Sequence, residues 1–245
     1  MKRNPAPQPS YRLIPSRFPP IGLFDTVATA ADLEAVMELA GWTNDRLLAE
    51  RLQRLPREEW VFGRPNSSIV MATFLHVAPG GMRFNGPELG AWYAAARLTT
   101  SVIEVAHHMR REAVATQQDS LARTFRVYTA KLEEDFVDIR GAQAALPAVY
   151  DLADYSASQK FGEEMRKGGE FGILFDSLRH AGGINAVAFC PSRIAEVTQS
   201  DHYEITVERA SSRIQARKNS TPEEAGAAAR LVSSAYDQPY SSSRS

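Results

Sequence analysis

Residues 82–110, MRFNGPELGAWYAAARLTTSVIEVAHHMR, decide how the chain is read. From Leu89 to Ala96 the pleat places Leu89, Ala91, Tyr93 and Ala95 on one face and Gly90, Trp92 and Ala94 on the other. Arg83-Phe84-Asn85 reads as the end of a preceding strand, turned back by Gly86-Pro87-Glu88. Thr99, Thr100 or Ser101 then caps a helix whose apolar face uses Val102, Ile103, Val105, Ala106 and Met109. This strand–strand–helix unit delivers Arg83 and Tyr93 from its strands and Glu104 and His108 from its helix. Cationic, aromatic and carboxylate groups so placed suit a pocket for a phosphorylated, ring-bearing ligand.

Upstream, residues 1–10 are polar and proline-rich and read as disordered. Pro15, Pro19 and Pro20 favour an extended arm, pinned to the core by Phe18, Ile21, Leu23 and Phe24. Helical spacing runs over 29–39 and again over 44–55, and Ile69 to Val77 is a buried apolar run of undecided type. Downstream, strands are predicted at Phe125–Leu132, Phe136–Arg140, Phe171–Phe175, Ala186–Phe189 and Tyr203–Val207. A helix is predicted from Tyr155 to Lys167, stopped by Gly168-Gly169. The pattern is that of an α+β protein: a single domain over 11–217 with a mixed β core flanked by helices, then a C-terminal helix and tail over 218–245.

A chain of 245 residues can bury roughly 70% of its unfolded surface, enough for a core without disulfides or metals. Cys190 is the only cysteine, which excludes internal disulfides and cysteine-rich zinc sites and favours a cytoplasmic location. A net charge of -1 argues against direct nucleic-acid binding and fits an RNA-cleaving activity poorly. No apolar stretch follows the basic start, so no signal peptide is expected. The longest apolar run, near Ile69 to Leu75, falls far short of the roughly 20 residues that span a bilayer.

Each candidate has a plainer reading. Arg83 could be a salt-bridged surface arginine and Tyr93 a core tyrosine with a satisfied hydroxyl. Ser101-Val102-Ile103-Glu104 matches a capping box, in which Glu104 only satisfies a helix-end amide. Spacing does not choose between that cap and a carboxylate that orients a ribose, with His108 one turn further on the same face. The first reading makes the protein a non-catalytic binding module. Glu104 and His107 form half of a di-metal carboxylate motif with no second copy, so no metal is expected. Ser177 follows a buried strand but lacks a G-x-S-x-G elbow, which argues against a hydrolase nucleophile.

Taken together, three segments resemble the RES-domain proteins, named for an arginine, a glutamate and a serine and known as the toxins of Xre–RES toxin–antitoxin pairs. The segments are RFNGPELGAWYAA with Arg83 and Tyr93, TTSVIEVAHH with Glu104 and His108, and GILFDSLRHAGGINAVAF with Ser177, Arg179 and Asn185. The resemblance runs over about residues 11–207. It implies a fold related to the ADP-ribosyltransferase toxins, NAD as substrate without a metal, and an Xre-like helix-turn-helix antitoxin as partner. It implies cleavage of the nicotinamide–ribose bond, with ADP-ribose passed to phosphate or water, or to an acceptor protein. On this resemblance Arg83 holds NAD phosphate or ribose, Tyr93 stacks on nicotinamide, and Glu104 stabilises the oxocarbenium-like charge. His108 supports Glu104 or the substrate, Ser177 contacts NAD, and Arg179 and Asn185 lie nearby. One departure stands out: Asp176 precedes Ser177 where the family usually has a proline.

Overall fold

The structure, a computed structural model, describes residues 1–17, 24–29, 31–32 and 46–219. Most of the helix expected over 29–39, the anchors Phe18, Ile21 and Leu23, and the helix expected after Lys218 lie outside these residues. Among the described residues one nine-stranded sheet forms the centre. Its strands are β1 (Arg3–Pro5), β2 (Ser10–Pro15), β3 (Trp92–Ala95), β4 (Ser120–Leu132), β5 (Asp135–Asp138), β6 (Gly172–Asp176), β7 (Ile184–Ala188), β8 (Ile194–Glu208) and β9 (Ile214–Lys218). They lie in the order β1-β5-β6-β7-β3-β2-β4-β8-β9. Only β5 and β6 run parallel, so the sheet is mixed. The helices are α1 (Arg46–Gln53), α2 (Ser67–Leu75), α3 (Leu98–Ala115) and α4 (Ser156–Lys167).

The sheet is nearly two sheets. β3 pairs with β7 from Trp92 to Ala95, and β2 pairs with β4 from Ser10 to Pro15. Between β2 and β3 only Tyr11 and Ala95 are in register. The strands therefore diverge on either side of that pair, and the divergence opens a gap in the middle of the molecule.

Alternation then sorts the core. Leu13, Phe125, Val127, Ile205 and Val207 face one way and receive Val102, Ala106 and Met109 of α3. On the same side of the other half, Val187, Ile173, Val137 and the ring of Tyr93 meet Phe161 and Met165 of α4. Trp92, Ala94, Tyr128 and Leu174 point the opposite way, against α2. The run from Ile69 to Val77, left undecided by sequence, falls mostly in this helix, Ser67–Leu75, which is buried almost all round, with only Ala72 and Thr73 less than buried. Such a helix belongs inside a core. Its N-terminus is held by Asp25, whose carboxylate accepts from the N–H groups of Asn66 (3.0 Å) and Ser68 (2.7 Å). Gly90 permits the close approach of β3 to this helix, since a Cβ there would lie 2.0 Å from the Thr73 carbonyl oxygen.

Three expectations are corrected. Residues 83–85 are not a strand; an isolated bridge between Met82 and Asn85 closes a tight loop, with Gly81 at φ +71°. Residues 1–10 are not unstructured, because Arg3–Pro5 pairs with β5 and Arg3 bonds Glu170. The N-cap of α3 is Arg97, with no side-chain cap bond, rather than Thr99, Thr100 or Ser101.

Candidate active site

That last correction decides the reading of Glu104. Ser101 lies inside α3 and donates to the Tyr11 carbonyl oxygen at 2.8 Å, so the capping box does not exist. Glu104 instead sits on the second turn and faces the gap between the sheet halves. Its Oε1 accepts from Ser177 Oγ at 2.6 Å and from Asn185 Nδ2 at 2.8 Å. Both donors are buried, at 8% and 7% exposure. Ser177 is oriented in turn, because its Oγ accepts from the backbone N–H of His180 (2.9 Å) and Arg179 (3.2 Å). Among the described residues no donor meets Glu104 Oε2. One oxygen is thus fixed by the protein.

A cleft of about 860 Å3 opens over this carboxylate. Arg83, Tyr93, Glu104, His108, Arg179 and Asn185 all line it. Of the candidate site residues from sequence, Ser177 does not line it; its hydroxyl lies behind Glu104 and holds that carboxylate. Arg12 and Arg126 also line the cleft, and sequence reasoning missed both. Arg12 reaches across the gap from β2, donating from Nη1 to the Tyr93 carbonyl oxygen at 2.8 Å and stacking over Trp92 at 4.9 Å. Loss of water lowers its pKa to about 10, still high enough for a permanent charge. Arg126, 5% exposed, shares its sheet face with Ile14, its cross-strand partner. The available signal was a charged residue at an inward position of an alternating strand, FRVYTAKL. Four guanidinium groups thus face a cleft whose carboxylates are Glu104 and Asp176, a balance that suits an anionic ligand.

Tyr93 uses its hydroxyl on its own protein. The hydroxyl donates to Asn85 Oδ1 at 2.8 Å and accepts from Phe84 N–H at 2.9 Å. Burial raises its pKa well above the usual phenol range, so it stays protonated. Its ring remains on the cleft wall. The same bonds fix the loop that carries Arg83, and α4 fixes it from below. Gln159 Nε2 donates to the Gly80 and Met82 carbonyl oxygens, at 2.8 and 3.0 Å, and Gly162 lets the helix press against Phe84. Arg83 donates from Nη1 to the carbonyl oxygens of Asp151 (2.8 Å) and Val149 (3.3 Å) and lies 4.5 Å over the Tyr155 ring.

Both histidines next to Glu104 have lowered pKa values. Loss of water lowers the His108 pKa, against the opposing pull of Glu104. Burial, then the charge of Arg179, lowers that of His107 to about 4. Among the described residues no group of His, Cys, Asp or Glu could hold a metal ion, and no helix is long and apolar enough to cross a membrane.

Fold and site define an α+β domain whose split sheet forms an arginine-lined cleft around one fixed carboxylate. The chain belongs to the RES domain family, whose model matches residues 51–208. It is 30% identical over 141 residues to "Uncharacterized protein y4oC" of Sinorhizobium fredii, a match covering 53% of this chain and 56% of that protein. The chain thus matches little more than half of that relative's length. Among solved structures, a chain of the M. tuberculosis MbcT–MbcA toxin–antitoxin complex aligns with a TM-score of 0.39 and 18% identity, over 54% of this chain and 74% of that one.

Proposed function

We propose that this protein is the toxin of a bacterial toxin–antitoxin pair and that it consumes NAD by breaking the nicotinamide–ribose bond. The observation that carries this reading is the Glu104 carboxylate, with Oε1 held by Ser177 and Asn185 and the cleft arginines around it. Membership in the RES domain family supports it. So does the resemblance of the three segments to the NAD-consuming toxins of that family, with its kinship to the ADP-ribosyltransferase fold.

The chemistry follows from charge. As the bond from ribose C1′ to the pyridinium nitrogen breaks, its electron pair leaves with nicotinamide, which becomes neutral. Positive charge passes to C1′ and the ring oxygen of the ribose. A fixed carboxylate beside that charge lowers the barrier because it needs no reorganisation during the step. An oxygen of phosphate or water then bonds to C1′, and its proton is released. Arg12, Arg83, Arg126 and Arg179 are assigned to the diphosphate, and the ring of Tyr93 to nicotinamide. His108, one turn from Glu104, is assigned to the ribose side of the cleft. The active unit is placed within residues 11–217, and an Xre-like helix-turn-helix antitoxin is assigned as the partner that blocks the cleft.

The test is to incubate the purified protein with NAD, with and without phosphate, and to follow free nicotinamide. Release accelerated by phosphate identifies phosphorolysis; equal release identifies hydrolysis. Slow release with labelling of one band in a cell extract makes the reaction mono-ADP-ribosylation of a protein. No release under any of these conditions sinks the proposal.

A further inference from the structure

Asp176, which precedes Ser177, carries an arrangement of its own. Its Oδ2 accepts from the Gly141 N–H and from Gln143 Nε2, both at 2.7 Å, and lies 3.5 Å from the Tyr150 hydroxyl. Tyr150 is buried, donates to the Ile139 carbonyl oxygen at 2.8 Å, and has its pKa pushed up to about 12 by burial, so its proton stays in place. The stretch that carries Tyr150, residues 139–155, supplies the carbonyl oxygens that hold two cleft arginines. Val149 and Asp151 accept from Arg83, and Leu152 accepts from Arg179 at 3.2 Å. Asp151 organises the same turn, its Oδ1 accepting from the N–H groups of Ala153 and Asp154.

We propose that Asp176 is a positioning residue that staples the 139–155 loop, and that this loop sets the aim of Arg83 and Arg179 toward an anionic substrate. The physical argument is one of strength. The Asp176 carboxylate is the charged acceptor that ties this stretch to the end of β6, and bonds to a charged acceptor are the stronger kind. The arginines at the far end are held by neutral carbonyl oxygens, which a phosphate outcompetes. The loop is therefore firm at its Asp176 end and exchangeable at its arginine end. A proline at this position has no side chain to hold Gly141 or Gln143.

The inference rests on the proposed NAD reading for its consequence, not for its structural test. Amide hydrogen exchange over 139–155 and the NMR signals of the Arg83 and Arg179 Nε–H groups are compared in wild type, Asp176→Asn and Asp176→Ala. Exchange in the loop is expected to rise about tenfold in Asp176→Ala, with both arginine signals shifted or broadened, and less in Asp176→Asn. Gln143→Ala, which removes one donor and leaves the carboxylate, reproduces a weaker form of the same pattern. If the wild type releases nicotinamide, Asp176→Ala raises KM for NAD about tenfold with kcat within about twofold. Unchanged loop exchange and arginine signals in Asp176→Ala overturn the inference, whether or not NAD is turned over. Loop loosening with KM unchanged in an active enzyme also overturns it, since the residue is then only structural.

Discussion

The centre of the cleft and its rim are built in opposite ways. At the centre, Glu104 stands on a long helix and is held by buried side chains, Ser177 at the end of β6 and Asn185 on β7. At the rim, Arg83 and Arg179 are held by backbone carbonyl oxygens of a stretch whose residues 151–154 are all exposed. Groups on packed helices and strands keep their geometry, whereas exposed loops open locally at small cost in free energy. Under the proposed chemistry the difference gives the centre to the bond-breaking step, where a small displacement is costly, and the rim to capture of the substrate.

Changes at the two places sharpen or break that division. Ser177→Ala removes the shortest bond to Glu104 and leaves two backbone N–H groups without their acceptor. Nicotinamide release should fall in kcat about 10- to 100-fold, with KM for NAD within about threefold, as read by steady-state kinetics. Arg179→Gln is expected to do the reverse, raising KM about tenfold while kcat holds. If Ser177→Ala acts on KM and Arg179→Gln on kcat, the division between centre and rim is wrong.

The Tyr93–Asn85 bond joins the two regions, since it fixes the Arg83 loop from a strand at the centre. Tyr93→Phe keeps the ring and loses the hydroxyl, leaving the Phe84 N–H and Asn85 without that partner. It should cost about 1–3 kcal/mol in denaturant unfolding, with a smaller rise in KM than Arg179→Gln produces.

The smallest effect is in pH. With a pKa near 4, His107 stays neutral in the folded chain at pH values where the unfolded chain takes up a proton. Stability contributed by the neutral form is present above about 6.5 and is lost as pH falls toward 4. Thermal unfolding followed between pH 4 and 7 should show Tm falling toward the acid end. His107→Gln should flatten part of that slope.

Much of the site could be read from sequence because its parts are short and ordered along the chain. Alternation placed Tyr93 and Trp92 on opposite faces, as the packing bears out. The periodic helix α4 was found with nearly its true ends, whereas α3 starts at Leu98 and runs on to Ala115, beyond the last residue its pattern used. The loop at 83–85 was misread as a strand because its pairing is a single bridge, and turn geometry around Gly81 leaves no periodic trace. The Ser101–Glu104 spacing matched a capping box, yet the helix starts three residues earlier, at Leu98. Thr99, Thr100 and Ser101 are all cap-type residues, so local spacing cannot tell a cap from a position inside the first turn. Arg12 was overlooked for a different reason. Its importance comes from the gap between β2 and β3, a fact of strand order that no local pattern carries.

Glu104→Gln bears most closely on the proposed chemistry, because the glutamine oxygen can still accept from Ser177 and Asn185 while the negative charge is gone. Nicotinamide release from NAD by this variant, measured beside its thermal unfolding, should fall by about 100-fold or more with Tm within about 2 °C of wild type. Release at the wild-type rate by a folded Glu104→Gln protein would contradict the role given to this carboxylate.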